Sequence, residues 1–369
     1  MRKIKFILVG GFLGSGKTTM LCRLAKHFTK KGLRVGLITN DQAENLVDTQ
    51  MVKVEGYKVE EIAGGCFCCR FNDLAEAVRK LIVKVKPDVI LAEPVGSCTD
   101  LVATVIRPLK VYYKNNYDIK PYTTLLDPAR AQDIIISGKV SGFSENVAYI
   151  FRKQLEESDI IALNKTDALS SKKTREMLFA LGKKFPNSKV MGISSRTGRG
   201  FGAWIRAVDS AAFSGKNIAA VDYDIYAQGE AELAWLNSVA NLSAKTAFST
   251  DKFLRNLTTG IRKALGGIPG EIAHLKLALS TERGSSFIHL TRNFQKLEFF
   301  KREAGASSKA RLIVNARVHT SPGLLSRSVA NALRVLCKKE GIGLKIESSK
   351  HFRPGRPVPV YRFTKEMGH

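Results

Sequence analysis

No stretch of this 369-residue chain is apolar for long enough to cross a bilayer, which argues against a membrane-embedded protein or a membrane partner. Acid is scarce: 33 Asp and Glu face 59 Lys and Arg, a net charge of +26 that raises the question of a polyanionic partner. The basic residues are spread along the chain and not gathered into one tail, which is the pattern of a solvated basic surface; nucleic acid is not the expected partner. Cysteine is scarce too, at six residues. The basic, apolar start of the chain could mimic a secretory signal, but it flows straight into a glycine-rich loop and reads as a buried strand. The expectation is a cytoplasmic protein in a reducing compartment, with cysteines as thiols or metal ligands and not as a disulfide framework. There is no internal repeat and no low-complexity tract.

What is present is an ordinary soluble balance of 44% hydrophobic and 25% charged residues, over a length that favours two domains. Short β-branched runs at 3–10, 34–40, 88–93, 122–127, 160–164 and 189–194 read as strands. Between them, amphipathic stretches at 17–31, 71–84, 145–158 and 171–184 read as helices. That alternation predicts an α/β domain over 1–212 with a mostly parallel sheet. A polar, glycine-containing stretch at 213–220 reads as a linker. Over 221–369 the order is strand, helix (252–265), strands (273–279, 286–291, 311–319), helix (323–339) and strand (344–347), which suits a smaller α+β domain of ferredoxin-like type.

Three constellations carry chemistry. The first is Gly11-Phe12-Leu13-Gly14-Ser15-Gly16-Lys17-Thr18, between a predicted strand and a predicted helix. Its glycines let backbone N–H groups wrap a phosphate at a helix N-terminus, Lys17 neutralises the β- and γ-phosphates, and Thr18 offers its hydroxyl to Mg²⁺. Thr19 completes the loop's candidate contacts. The second is Asn164-Lys165-Thr166-Asp167 after a buried strand. Alone it could be a helix N-cap; downstream of a phosphate loop, Asp167 can accept two hydrogen bonds from guanine, a donor pair that adenine lacks. GTP is therefore the expected nucleotide, with Ser194 and its loop near the base.

Glu93 ends a strand and precedes Pro94-Val95-Gly96, where a carboxylate can reach the Mg²⁺ shell and the Gly96 backbone can approach a γ-phosphate as a switch. Lys17, Glu93 and Gly96 are the candidate catalytic residues. Asp41 and Glu44 read as a second switch, as metal ligands, or as a solvated loop. The third constellation is Gly64-Gly65-Cys66-Phe67-Cys68-Cys69. In an extended segment Cys69 points away from Cys66 and Cys68, unless the glycines and a local turn gather all three. Three thiolates suit Zn²⁺ or a similar soft ion, in an exchangeable site finished by water, by Asp41 or Glu44, or by a partner's ligand. Buried reduced cysteines are the bland alternative. Cys22 and Cys337 read as core; Cys98, beside the Gly96 turn, is open.

With GGFLGSGKTT, GGCFCC, AEPVG and NKTD in this order, residues 3–210 resemble the CobW-type GTPases, SIMIBI-class P-loop proteins related to the nickel chaperones UreG and HypB. The resemblance implies a low-turnover GTPase and metallochaperone that delivers zinc, or cobalt, to a client metalloprotein, and it admits a nucleotide-dependent homodimer. It makes Cys66, Cys68 and Cys69 the ligands of the transferred metal, Lys17 and Thr18 the phosphate and Mg²⁺ residues, Glu93 the switch acid, and Asn164 and Asp167 the guanine readers. Where the family commonly has Asn-Glu-Phe-Gly-Glu, this chain has Asn40-Asp41-Gln42-Ala43-Glu44. The C-terminal half resembles the family's second domain in element order and ends in the basic segment Phe352-Arg353-Pro354-Gly355-Arg356-Pro357. Histidine is scarce at six residues, against the His-rich stretch of many zinc-handling members, which leaves the metal open. The rival readings are a basic RNA- or ribosome-associated GTPase and a thiol redox switch.

Overall fold

An unbroken apolar run can be a strand only where both of its faces are covered, and the first half of the chain is built that way. The structure is a computed structural model that describes residues 3–42, 46–140, 142–209, 215–266, 271–293 and 297–364. It begins with β1 (Ile4–Gly10), α1 (Lys17–Thr29), β2 (Val35–Asn40) and α2 (Val47–Val54). Then come β3 (Val59–Ile62), α3 (Phe71–Val85), β4 (Val89–Glu93) and α4 (Arg107–Tyr112), the last entered through a widened, π-type turn over Val102–Ile106. β5 (Tyr117–Ile119), β6 (Thr123–Leu126), α5 (Pro128–Arg130), α6 (Glu145–Glu156), β7 (Ile160–Leu163), α7 (Ser171–Lys184), β8 (Lys189–Gly192) and α8 (Phe201–Asp209) complete this half.

These strands form a parallel sheet in the order β3-β2-β4-β1-β6-β7-β8, with β5 also paired to β1. Every residue of β2, β4 and β7 is buried. The chain passes to one side of β1 for β2 to β4 and to the other for β6 to β8, so the crevice beyond the carboxyl end of β1 is the topological switch point, where such sheets bind ligands. Helix ends follow local chemistry: Ser144 and Ser170 cap α6 and α7 by accepting the Val147 and Lys173 N–H groups.

After α9 (Tyr223–Ala231) come β9 (Leu233–Ser249), α10 (Thr250–Gly266), β10 (Ile272–Thr281), β11 (Gly284–Leu290), β12 (Glu298–Arg302), β13 (Ala306–His319), α11 (Pro322–Glu340) and β14 (Gly343–Phe352). The antiparallel order β12-β11-β10-β13-β9-β14 contains two split βαβ units, the expected ferredoxin-like arrangement, extended by the hairpin partner strands β11 and β12. Phe253, Leu257 and Ile261 of α10 pack with Leu325, Val329 and Leu333 of α11 over one face of this sheet. Val47 and Met51 of α2 pack against Val239, Ala278, Phe287 and Ile313 of the same sheet. The Val47 N–H donates to Asn315 Oδ1 at 2.8 Å, and Lys276 Nζ donates to Asp48 Oδ1 at 2.6 Å.

Compact units therefore interleave along the chain: one takes the described parts of Met1–Gln42, Glu55–Gly229 and Arg356–His369, the other those of Ala43–Val54 and Glu230–Gly355. This differs from a division at 213–220. Within that expected linker, the Gly215 N–H donates to Asp159 Oδ2 at 2.7 Å and Asn217 Nδ2 to the Ser158 carbonyl at 2.8 Å, which fastens the stretch to the first unit. Two predicted helices end early, at Thr29 and Glu156, and α2, α4, α5, α8, α9, β3, β5 and β12 were not predicted. Among the described residues no helix is long and apolar enough to cross a membrane.

Candidate nucleotide and metal site

Beyond β1 the chain turns through Gly11, Gly14 and Gly16, all at positive φ. Two of them are fixed by close approach: a Cβ on Gly11, at φ 128°, would lie 2.3 Å from the Leu125 carbonyl oxygen, and one on Gly16, at φ 99°, 2.5 Å from Asn164 Nδ2, so only glycine fits at either. α1 begins at Lys17 with no acid in its first turn, and the buried Ser15 Oγ has no hydrogen-bond partner. A helix amide end and an orphaned hydroxyl around a glycine cradle fit a phosphate group. Lys17 Nζ donates to the Gly11 carbonyl at 2.9 Å and stands 4.0 Å from Glu93 Oε1. Thr18 Oγ1 lies 3.1 and 3.0 Å from the two Glu93 carboxylate oxygens. The structure thus brings Lys17, Thr18 and Glu93 together in a buried cluster. Thr19 follows, partly exposed.

Beside the phosphate loop, Asn164 is a bridge. Its Nδ2 donates to the Ser15 carbonyl at 2.8 Å, and its Oδ1 accepts the Ser195 N–H at 2.8 Å and the Ser195 hydroxyl at 3.0 Å. The Ser195 N–H, one of the loop donors expected to face the base, is thereby used within the protein. Lys165, in the left-handed region at φ 56°, donates to Asp127 Oδ2 at 2.8 Å, and Asp127 caps α5 through the Ala129 and Arg130 N–H groups. Asp167 Oδ1 accepts from Ser194 Oγ at 2.6 Å and Oδ2 from Arg196. Burial raises the Asp167 pKa, but the Ser194 and Arg196 contacts outweigh it and hold the group below its ordinary value, as an ionised acceptor.

The cysteine loop resolves the directional question. Arg70 N–H donates to the Cys66 carbonyl at 2.9 Å, closing a helical turn that puts all three sulfurs on one side. Cys66 Sγ lies 2.7 Å from Cys68 Sγ and 3.3 Å from Cys69 Sγ, and Cys68 Sγ lies 3.8 Å from Cys69 Sγ. None of the six cysteines forms a disulfide. Zn–S bonds of about 2.3 Å place tetrahedral sulfurs about 3.8 Å apart, the separation Cys68 and Cys69 already have, whereas Cys66 must draw about 1 Å away from Cys68 to take the ion. Asn40, at the end of β2, clamps the loop: its Nδ2 donates to the Ile62 and Gly65 carbonyls at 3.0 and 2.7 Å, and its Oδ1 accepts the Phe67 N–H at 3.0 Å.

Cys98, left open by sequence, is buried beside this group and its thiol interacts with Cys66 and Cys68, although it stands outside the close cluster of three. Hydrogen bonds from Cys68, Cys69 and Cys98 hold the Cys66 thiol well below its ordinary pKa. Cys68 is pushed well above, and Cys69 up to about 11, chiefly by their bonding to Cys66. Asp41 does not join the thiol group: among the described residues the close cluster consists of Cys66, Cys68 and Cys69, and Asp41 Oδ1 accepts the Gln42 N–H at 2.6 Å. Glu44 lies outside the described residues.

Between the two sites runs the segment from Glu93 to Asp100. Gln154 Nε2 donates to both the Gly96 and Cys98 carbonyls, at 3.0 and 2.8 Å, tying them into one piece. A Cβ on Gly96 would meet Leu13 Cδ2 at 2.7 Å and the Leu13 amide nitrogen at 3.1 Å, so this backbone lies directly on the phosphate loop. Gly96→Ala is expected to weaken GTP about tenfold, because overpacking costs about 1–3 kcal/mol and falls on Leu13 of the phosphate loop. Titration calorimetry with GTP and GDP checks this; equal affinities for wild type and variant would remove Gly96 from the switch.

A family model described as CobW/HypB/UreG, nucleotide-binding domain, matches residues 5–191. The zinc chaperone YeiR of Escherichia coli (strain K12) is 33% identical over 164 residues, which cover 43% of this chain and 46% of that protein. The zinc chaperone YjiA of the same organism is 28% identical over 189 residues, covering 50% of this chain and 57% of it. The chain thus spans about half the length of the curated relatives it matches. The crystal structure of Zn(II)-bound YjiA GTPase from E. coli aligns over 90% of this chain and 99% of its own, with TM-score 0.40 and 14% identity.

Proposed function

This chain belongs to the CobW/HypB/UreG nucleotide-binding family, and on that premise we propose that it is a cytoplasmic, GTP-hydrolysing carrier of a thiophilic metal ion, zinc before cobalt, which it delivers to a client metalloprotein. Lys17 neutralises the β- and γ-phosphates, Thr18 and Glu93 hold Mg²⁺, and Asp167 reads guanine. Mg²⁺, when bound, offsets charge on the transferring phosphoryl oxygens. Cys66, Cys68 and Cys69 hold the cargo, and Cys98, which interacts with Cys66 and Cys68, lies next to them.

One observation carries the coupling. Gly96 rests on the phosphate loop, and Cys98, fixed to it through Gln154, reaches Cys66 and Cys68. A displacement of the Gly96 backbone by a γ-phosphate therefore moves one sulfur relative to the other three, which gives the cargo a differential affinity for the two nucleotide states. Zinc affinity, measured by chelator competition, is expected to differ about tenfold between the states with a non-hydrolysable GTP analogue and with GDP. In Cys98→Ser the difference disappears and affinity falls about 100-fold. Zinc affinity indifferent to nucleotide in the wild type would sink the proposal. The 2.7 Å approach of Cys66 to Cys68 also suits a disulfide, and thiol titration with and without zinc separates carriage from redox switching.

A further inference from the structure

The last described stretch, 356–364, belongs to the first compact unit and runs along the cysteine loop. Its sequence, Arg356-Pro357-Val358-Pro359-Val360-Tyr361-Arg362-Phe363, limits what it can do. Pro357 and Pro359 donate no N–H and favour extended backbone, so the first donors after Arg356 are Val358 and Val360. Both face the thiol loop: the Val358 N–H donates to Cys69 Sγ at 3.2 Å and the Val360 N–H to the Cys68 carbonyl at 3.0 Å. The Val358 side chain is 70% exposed, so the backbone and not the side chain makes the contact.

Beyond Val360 the same stretch is fastened to the segment that carries Cys98. Arg362 Nε donates to Asp100 Oδ2 at 2.7 Å. Asp100 is 1% exposed, sits at φ 63°, and also accepts from the Tyr223 hydroxyl at 2.7 Å. The Phe363 N–H donates to the Ala103 carbonyl at 2.9 Å. Ala103 lies in the π-type turn, where its partner five residues on would be Pro108, which has no N–H to give; Phe363 supplies the missing donor. The Tyr361 ring packs edge-on to Phe71 and tilted against Tyr112, with centroids 5.1 Å away in each case.

We infer that residues 356–364 form a clasp across the thiol site, in which the Val358 N–H positions the Cys69 sulfur and the Arg362–Asp100 pair holds the clasp shut, so that metal enters and leaves when it opens. This rests on the metal-carrier reading. Cys69 is the one of the three clustered thiols that is not fully buried, and it is the one the clasp covers. An N–H donated to a coordinated sulfur fixes its direction and stabilises its negative charge, the role that outer-shell donors have at metal sites. The Arg362–Asp100 pair ties the same peptide to a point two residues beyond Cys98, so the clasp spans both sources of sulfur.

The test uses the full-length protein. Val358→Pro removes one N–H from a position between two prolines; Val358→Ala keeps the N–H and changes only an exposed side chain. Two rates are read: alkylation of Cys69 by iodoacetamide in metal-free protein, mapped by mass spectrometry, and transfer of bound zinc to a chromogenic chelator. Both are expected to rise about tenfold in Val358→Pro, the low end of the range for outer-shell partners, and to stay at the wild-type value in Val358→Ala. Arg362→Ala should behave like Val358→Pro, with Arg362→Lys restoring slower exchange, which keeps the test decisive if the proline variant folds poorly. GDP affinity reports folding in each variant. Val358→Pro and Arg362→Ala rates equal to those of Val358→Ala would overturn the clasp. If wild-type protein takes up no zinc, the carrier reading fails, and the alkylation rates alone still decide the clasp.

Discussion

Serine at positions 66, 68 and 69 together is expected to reduce zinc affinity by more than about 10⁵-fold while leaving guanine-nucleotide binding in place. Structural zinc sites are worth about 10–16 kcal/mol over four ligands, or about 3 kcal/mol for each sulfur, and the triple replacement leaves Cys98 alone. The single replacements should not be equal. Hydrogen bonds from its neighbours hold the Cys66 thiol well below its ordinary pKa, so Cys66→Ser removes the ligand that gives up its proton most readily. Cys68 and Cys69 keep their protons at neutral pH and must release them to bind the ion. Zinc uptake therefore liberates acid, and affinity climbs as pH rises. Chelator competition at several pH values measures both effects, alongside GTP hydrolysis with and without zinc. A triple variant that keeps wild-type zinc affinity and metal-responsive hydrolysis would detach the thiols from the function.

Asp167→Asn should change which base the protein accepts. The carboxylate offers acceptors alone, matched to the N1–H and exocyclic amine of guanine, whereas an amide presents one acceptor and one donor. GTP affinity is expected to fall about 10³-fold, since a buried site built for a donor pair discriminates by several kcal/mol when one partner is wrong. Xanthosine triphosphate, with a carbonyl where guanine has its amine, should gain in the same variant. The substitution also removes the charge that pairs with Arg196, so the comparison between the two bases matters more than either affinity alone. Fluorescence competition with GTP, ATP and xanthosine triphosphate resolves the outcome. An unchanged preference for guanine would mean that Asp167 does not read the base.

Both sites were legible in the sequence to the extent that their chemistry is local. The phosphate loop is contiguous, and Lys17 and Thr18 at its end meet Glu93, which was singled out from a separate strand end. The three cysteines were legible as a group, but their convergence depends on the turn closed by Arg70 and on the clamp from Asn40, a residue distant in sequence. Cys98 was not legible as part of the group because nothing within its own segment says which wall it faces; Gln154 of α6 determines that. Edge strand β3 escaped because Glu60 and Glu61 break its apolar pattern, and β5 because it is three residues long. The segment over 356–364 has neither helical nor strand periodicity, since its prolines exclude it from both. Its place is written in the donors that those prolines leave behind, and these acquire meaning only beside Cys69 and Ala103.

The position of α2 bears on how this protein can be dissected. Val47 and Met51 are covered by Val239, Ala278, Phe287 and Ile313, although the described chain on either side of α2 belongs to the first unit, and 356–364 returns to that unit after β14. No single cut separates the two. A gene fragment ending near residue 229 would carry a helix stripped of its apolar cover and a cysteine loop stripped of its clasp, while one starting there would lack the helix that shields its own sheet. Activity lost on truncation would thus report missing pieces on both sides of the cut and not the independence of either unit.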